Sequence, residues 1–198
     1  MGDFDEPESN EIEKINRRQR ELFDDIVHVF EPPLPEGVPE RLEAIVAAGA
    51  IAPGECVLDV GSGTGILIPL IQTYRPGCIY ACDLSGKMLE QLNRNYSGVK
   101  TIQADVRELT LPDASVDAAF LNACYPNIAD KHGALANIAR MMRTGGRMVI
   151  SHPLGKTFIQ SLQQKSPFPL DDFPTRPEAE RRLGPFGFVV RRFVDDPE

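Results

Sequence analysis

Hydrophobic side chains recur at helical spacing in the first fifty residues of the chain. The clearest run lies within residues 12–30, where apolar positions fall three, four or seven residues apart: Ile12, Ile15, Leu22, Ile26 and Val29. The stretch 31–35 ends this helix, because proline lacks an amide donor and restricts the residue before it. A second helix is predicted over 39–48, with Pro39 near its start and Gly49 just past its end.

From residue 56 onward, short apolar runs alternate with helical patterns. The predicted strands cover 56–60, 78–82, 99–103, 116–121 and a fifth centred on 148–150. The predicted helices between them cover 65–73, 86–96 and 130–142. Ser85 is a plausible N-cap for the second of these helices, and Asp130 stands at the start of the third. This alternation predicts an α/β fold with a doubly wound, mostly parallel sheet and helices on both faces.

The charge of the chain is concentrated at its two ends. The 198 residues carry a formal net charge of −8, with six acids in 1–13 and three in 195–198. Without those nine acids the body is close to neutral, which weighs against a nucleic-acid partner. We also see no apolar run that would span a bilayer and no signal peptide, so a cytoplasmic protein without a membrane span is expected.

Four cysteines form no C-x-x-C pair, although Cys78 and Cys82 lie four residues apart. We expect buried structural thiols rather than a disulfide or a metal site, and we predict no metal ligands.

A glycine-rich turn follows the first predicted strand. It contains Gly61, Gly63 and Gly65, and Asp59 precedes the first glycine by two residues. A buried strand that runs into such a turn lets the backbone approach a ligand closely. The third glycine stands one residue earlier than in the dinucleotide pattern G-x-G-x-x-G, since Ile66 occupies the last place of that pattern. A carboxylate beside the turn suits a cationic ligand.

Two further acids follow the next two predicted strands. Asp83 ends the second strand, where a carboxylate can accept hydrogen bonds from both hydroxyls of a ribose. Asp105 follows the third strand, where it can accept from an exocyclic amine. Each aspartate alone fits a loop cap, but open α/β sheets bind ligands at the carboxyl ends of their strands. The three acids together therefore predict a ligand site at this edge.

The segment from Asp59 to Gly65, with Asp83, Asp105 and Asn122 in register, resembles a class I S-adenosylmethionine-dependent methyltransferase. The resemblance covers about residues 40–152 and is nearest to the type 11 group that includes the ubiquinone/menaquinone-biosynthesis enzymes. The Arg17–Phe30 leader also resembles the helix that precedes the cofactor fold in that group.

The resemblance implies S-adenosyl-L-methionine as cofactor and assigns residues to it. Asp59 and the glycine turn would lie at the methionine part, Asp83 would hold the ribose, Leu84 would pack on adenine, and Asp105 with the Val106 amide would read the adenine edge. The cofactor-binding residues implied in this way are Asp59, Gly61, Ser62, Gly63, Gly65, Asp83, Leu84, Asp105, Val106 and Asn122.

The resemblance also implies a strand hairpin at the end of the sheet, of which we count only one strand. We therefore expect the chain to stop just before the last strand of the family. The predicted organisation is an acidic, disordered leader and one methyltransferase domain, 12–198. Within that domain we expect N-terminal helices, a cofactor-binding core, a substrate-side segment and a final strand: 1–11 for the leader, then 12–50, 51–152, 153–186 and 187–195.

Two residues are candidates for the chemistry of methyl transfer. Tyr125 follows the fourth strand, and Asn122-x-x-Tyr125 faintly echoes the Asn-Pro-Pro-Tyr signature of amino-group methyltransferases. His152 follows the fifth strand and has an ordinary pKa that suits a general base, although a histidine that caps a turn fits the sequence as well. Three phenylalanines could give the proline-rich segment near 166–177 an apolar face towards a substrate: Phe158, Phe168 and Phe173.

We therefore predict methyl transfer to a small-molecule acceptor, with the oligomeric state left open. The alternatives are an amino methyltransferase acting on protein or nucleic acid, a nucleotide-type oxidoreductase, and a cofactor-binding protein without catalysis. The near-neutral body counts against the first alternative, and Gly65 with Ile66 counts against the second.

Overall fold

The computed structural model describes residues 9–30 and 33–194. Its centre is a five-stranded sheet in the order β3-β2-β1-β4-β5, with every neighbouring pair parallel. The strands are β1 Cys56–Val60, β2 Cys78–Asp83, β3 Lys100–Gln103, β4 Val116–Asn122 and β5 Met142–Ser151. All five strands predicted before residue 152 are confirmed, and the predicted fold class is confirmed with them.

Helices cover both faces of the sheet. The described residues form α1 Ser9–Asp25, α2 Val38–Ala48, α3 Ile68–Thr73, α4 Gly86–Asn95, α5 Lys131–Met141, α6 Gly155–Gln163 and α7 Arg176–Leu183. The two residues predicted at the starts of helices are confirmed as N-caps of α4 and α5. The Ser85 hydroxyl accepts from the Met88 amide, and the Asp130 carboxylate accepts from the Gly133 amide.

The strand order reverses at β1, and this reversal places the functional edge of the sheet. Strand β1 lies between β2 and β4, so the chain leaves β1 in one direction and later returns on its other side. Residues 57–60 of β1 are fully buried, because an apolar core packs on each face of the sheet. The carboxyl ends of β1 and β4 therefore border a crevice of the kind in which α/β proteins bind ligands.

Two predictions near the ends of the chain are wrong. Residues 188–194 form no strand, although they are rich in β-branched and aromatic residues. Such composition favours a strand only where a neighbour pairs with it, and Val189 and Val194 are instead 69% and 56% exposed.

At the other end, residues 9–11 of the predicted disordered leader belong to α1. That helix ends at Asp25, short of the predicted residue 30, and a 3-10 helix covers 27–30. Residues 1–8 and 195–198 lie outside the described residues.

The expectation for the cysteines is half confirmed. Cys82 and Cys124 are buried free thiols, but Cys56 and Cys78 form a disulfide. These two residues begin β1 and β2 and are register partners, which brings their Cα atoms to 4.7 Å. Sequence spacing does not show this pairing because it depends on which strands are neighbours.

Within 9–30 and 33–194, no group of three or more histidine, cysteine or acidic side chains is arranged to hold a metal ion. In the same part of the chain, no helix has the length and apolar character needed to cross a bilayer.

Candidate functional site

The glycine turn leaves β1 in a conformation that other residues rarely adopt. Gly61, Gly63 and Gly65 all have positive φ angles, of 62°, 52° and 89°. The Gly61 amide donates to the Cys82 carbonyl at 2.7 Å, which fixes the turn against β2. A Cβ atom on Gly61 would lie 2.4 Å from the Cβ of Cys124, so no larger residue fits there. A Cβ on Gly63 would meet only the Met88 sulfur, at 4.0 Å, so this face of the turn is open.

Asp83 ties the glycine turn to the end of β2. Its Oδ2 accepts from the Gly63 amide and its Oδ1 from the Ser85 amide, both at 2.8 Å. Burial raises the pKa of this carboxyl, and the backbone donors oppose the rise. The Leu84 amide is a third backbone donor to this carboxylate, which keeps one lone pair that can accept from a ligand hydroxyl while Asp83 holds the turn.

Asp59 and Ser62 place two polar atoms in the interior without partners. Their residues are 2% and 4% exposed, and within the described residues neither Asp59 Oδ2 nor Ser62 Oγ has a hydrogen-bond partner. Burial first, and the charge of Asp83 second, raise the pKa of Asp59 to about 8. Buried polar atoms in folded proteins are almost always paired. The two atoms therefore fit a site whose polar or cationic ligand completes their hydrogen bonds.

Asp105 lies after β3, as predicted, and its carboxylate is held by two other residues. Its Oδ2 accepts from Arg107 Nε at 2.9 Å and from Asn16 Nδ2 at 2.5 Å, and its Oδ1 accepts from the Arg107 amide at 2.9 Å. Arg107 also makes an ion pair with Asp105 at 2.7 Å. Sequence reasoning missed both partners. Arg107 is two residues from Asp105, so the spacing offered a signal, but Asn16 is 89 residues away.

Leu84, a predicted adenine neighbour, follows β2 directly, and Val106, the other, lies three residues past the end of β3. The Leu84 carbonyl accepts from the Gln103 side chain at 3.0 Å, and the Val106 carbonyl accepts from Asn137 at 2.7 Å. These bonds fix the backbone after each of the two strands.

Asn122 and Tyr125 have different partners in the structure. Asn122 ends β4, and its Oδ1 accepts from the Ser151 hydroxyl at 3.0 Å. Tyr125 is 1% exposed and lies beneath the surface, where its ring stacks on Phe173 with centroids 6.2 Å apart. Burial raises the pKa of its phenol, and a hydrogen bond with the Arg182 side chain opposes that rise. The role of the two residues in methyl transfer stays a prediction.

His152 lies at the end of β5 in a setting that favours its neutral form. Its Nδ1 accepts from the Leu154 amide at 3.1 Å, as in a histidine that caps a turn. Burial lowers the pKa of the ring to about 4. A neutral imidazole that accepts through Nδ1 carries its proton on Nε2, so Nε2 is a hydrogen-bond donor. The lowered pKa also makes the ring a weak base at neutral pH, and the role of general base stays a prediction.

The segment before α7 brings an aromatic cluster over the ends of β4 and β5. Phe173 contacts the rings of both Tyr125 and His152, and Phe158 lies 5.5 Å from His152 between centroids. The segment is held in place by Asp171, whose amide donates to the Pro126 carbonyl and whose carboxylate accepts from the buried Lys131 at 2.5 Å. Phe168, the third predicted apolar residue, is buried against Phe23 of α1 instead.

Comparison with known proteins agrees with this geometry. Residues 58–150 match the model of a methyltransferase domain family of type 11. The chain is 28% identical over 169 residues to an O-methyltransferase of Pyrenophora dematioidea, an alignment that covers 76% of this chain and 63% of that protein. It is 32% identical over 106 residues to the ubiquinone/menaquinone biosynthesis C-methyltransferase of Vibrio campbellii, covering 50% of this chain and 41% of that protein.

A solved structure shows the same fold at low identity. The geranyl diphosphate C-methyltransferase of Streptomyces coelicolor superposes with a TM-score of 0.73 over 91% of this chain and 81% of that one, at 13% identity. The chain spans 63% and 41% of the two curated relatives described above, so it matches only part of each. Residues 58–150 thus match a methyltransferase domain, and the chain has the fold seen in the geranyl diphosphate C-methyltransferase.

Proposed function

We propose that this protein binds S-adenosyl-L-methionine and transfers its methyl group to a small-molecule acceptor. The observation that carries the proposal is the pair of buried oxygens, Asp59 Oδ2 and Ser62 Oγ, which have no hydrogen-bond partner in the described part of the chain. A ligand with a cationic centre and hydrogen-bond donors supplies what both atoms need. A ligand that places a pyrophosphate here is disfavoured, because the carboxylate of Asp59 would repel an anion at this turn.

The other strand ends fit the remainder of the same ligand. Asp83 keeps a lone pair for a ribose hydroxyl. Asp105 supplies a second carboxylate after β3, the strand next to β2 in the sheet. Leu84 and Val106 border the place of the base. When bound, S-adenosylmethionine supplies a methyl group activated by a positively charged sulfur. The chain has to orient the acceptor and exclude water.

The acceptor side of the site is aromatic. Phe173, Phe158 and His152 form one contiguous cluster at the ends of β4 and β5. Such a surface favours an apolar or aromatic acceptor, and His152 Nε2 can donate a hydrogen bond that orients it. The name of the relative from Vibrio campbellii, a C-methyltransferase of ubiquinone and menaquinone biosynthesis, supports a small-molecule acceptor of this class.

Titration calorimetry tests cofactor binding directly. We expect heat with S-adenosylmethionine and S-adenosylhomocysteine and none with NADH. Asp59→Asn should weaken binding of S-adenosylmethionine, whereas Asp113→Asn should not, since Asp113 is exposed and precedes β4 at the opposite edge of the sheet. Binding of NADH but of neither sulfur compound would contradict the proposal.

Acceptor class needs a separate measurement. Transfer of a labelled methyl group should be detected with members of a panel of apolar and aromatic metabolites and not with bulk protein or RNA. Labelling of protein or RNA alone would favour an amino methyltransferase, and binding without transfer to any acceptor would favour a non-catalytic cofactor-binding protein.

A further inference from the structure

The inward face of α1 carries polar side chains where a packed helix usually carries apolar ones. Ile12, Asn16, Gln19 and Phe23 follow each other at intervals of four, three and four residues, so they share one face of the helix. Gln19 is only 3% exposed, and Asn16 is half-buried. A buried carboxamide is stable only when it is hydrogen-bonded, so the partners of these two side chains show what the helix is built to contact.

Side chains of α1 bond to residues that follow three different strands. Asn16 Nδ2 donates to Asp105 after β3, and Gln19 Nε2 donates to the Asn127 carbonyl after β4, each at 2.5 Å. Further along the helix, Asp24 accepts from the hydroxyl of Ser85, after β2. Helix α1 therefore crosses the carboxyl edge of the sheet and lies over the proposed cofactor crevice.

The bond from Asn16 uses the acceptor that an adenine amine would need. Asp105 Oδ2 already accepts from two nitrogens of the Arg107 guanidinium, at 2.9 and 2.7 Å, and the Asn16 amide is its third donor. A carboxylate oxygen offers about two lone-pair directions, so Oδ2 is saturated, whereas Oδ1 accepts only from the Arg107 amide. The NH2 group of a carboxamide is also the same kind of donor as the exocyclic amine of adenine.

Arg107 is the more firmly held of the two donors. Its backbone amide bonds the other oxygen of Asp105, and its guanidinium lies 3.7 Å from the carboxylate of Asp130 as well. Asn16, by contrast, reaches Asp105 from a separate helix. Of the two, Asn16 is the donor that can withdraw without breaking the loop that carries Asp105.

We propose that Asn16 competes with the adenine amine of the cofactor for the carboxylate of Asp105. This inference rests on the proposed function and deepens it. It makes Asn16 a determinant of cofactor affinity that acts against binding, and it makes α1 an element whose contacts change when the adenosine enters.

The test compares Asn16→Ala with the wild type in binding two ligands that differ only at the adenine amine. S-adenosylhomocysteine carries the amine, and its 6-deamino analogue carries a hydrogen atom in its place. Loss of the competing bond should tighten binding of S-adenosylhomocysteine by about 2- to 10-fold. The 6-deamino analogue should show no gain, because it has no amine to donate to Asp105. Alanine has the higher helix propensity, so α1 should form in the variant, and circular dichroism verifies this.

Asn93→Ala is the matched control, since Asn93 also donates from a helix to a neighbouring side chain but bonds Thr101 on the exposed surface. Its affinity for both ligands should equal that of the wild type. An unchanged or weaker affinity of Asn16→Ala for S-adenosylhomocysteine overturns the inference, as does an equal gain for both ligands. If the wild type and both variants, all folded, bind neither ligand, the proposed function itself fails.

Discussion

The two edges of the sheet are built in opposite ways. At the amino edge, every charged group named here has a partner: Arg147 bonds Glu55 at 2.9 Å and also reaches the Gly49 and Ala50 carbonyls, and Arg143 bonds both oxygens of Asp117 at 2.7 Å. At the carboxyl edge, Asp59 and Ser62 keep buried oxygens without partners within the described residues.

The difference indicates that the amino edge stabilises the fold and that the carboxyl edge is suited to binding a ligand. Hydrogen bonds with Arg147 lower the pKa of Glu55, so its charge is favoured in the fold. Burial raises the pKa of Asp59, so its charge is disfavoured until a ligand arrives. Unpaired buried polar groups cost stability, and proteins tolerate them mainly at functional sites.

The largest effect is expected from Asp83→Ala at the carboxyl edge. The substitution removes the two bonds that hold Gly63 and Ser85, together with the proposed ribose acceptor. Charge-assisted bonds contribute about 1.5–3 kcal/mol each, so affinity for S-adenosylhomocysteine should fall about 100-fold or more. Calorimetry measures this change. Affinity equal to that of the wild type would show that the ribose binds elsewhere.

The amino edge should respond in the reverse way. Replacing Cys56 and Cys78 together by serine removes a cross-link between residues 22 apart. The free energy of unfolding should fall by about 3 kcal/mol because the unfolded chain gains freedom. Urea titration measures the loss, and cofactor affinity should not change below the midpoint. A large loss of affinity would mean that the disulfide at the amino edge also supports the ligand site at the carboxyl edge.

Local signals in the sequence identify most strands of this sheet, but they do not identify the contacts that α1 makes across its carboxyl edge. Strand β1 and the cap Ser85 are encoded by neighbouring residues, and Asp83 and Asp105 were found because parallel strands end at a common edge. Asn16 could not be linked to Asp105 in the same way, since 89 residues separate them and only the packing of α1 joins them.

The other two failures have the same origin. The disulfide depends on strand order, and residues 188–194 have strand-like composition without a neighbour that pairs with them. His152 was found at the predicted place, but its protonation depends on burial and on the Leu154 amide, which no local pattern shows.

A smaller effect is expected in the way the stability of the folded protein depends on pH through Asp59. The folded pKa, about 8, exceeds the ordinary value of 3.8, so the folded protein retains a proton that the unfolded chain releases. This contribution to stability is therefore fully present below the lower value and is lost as the pH rises towards the higher one, by about 1.4 kcal/mol per pH unit at most. Asp59→Asn should flatten this slope.

Binding should show the opposite trend. A cationic ligand favours the charged carboxylate, so the affinity of the wild type for S-adenosylmethionine should rise between pH 6 and 8. Asp59→Asn should lose this rise, and Asp113→Asn should keep it. Calorimetry at several pH values measures both, and a wild-type affinity that falls over this range would contradict a charged Asp59 in the complex.

The smallest effect is expected on kcat when His152 is replaced. This effect distinguishes a His152 that donates a hydrogen bond from a His152 that acts as a general base. With a pKa of about 4 the ring stays neutral from pH 6 to 8, so turnover by the wild type should be flat over that range with respect to this group. His152→Gln retains a donor and should lose less than about 10-fold in kcat, whereas His152→Ala should lose more, because the acceptor is no longer oriented. A general base with an ordinary imidazole pKa would instead make wild-type kcat fall below about pH 6.5, and the glutamine variant would be as slow as the alanine variant.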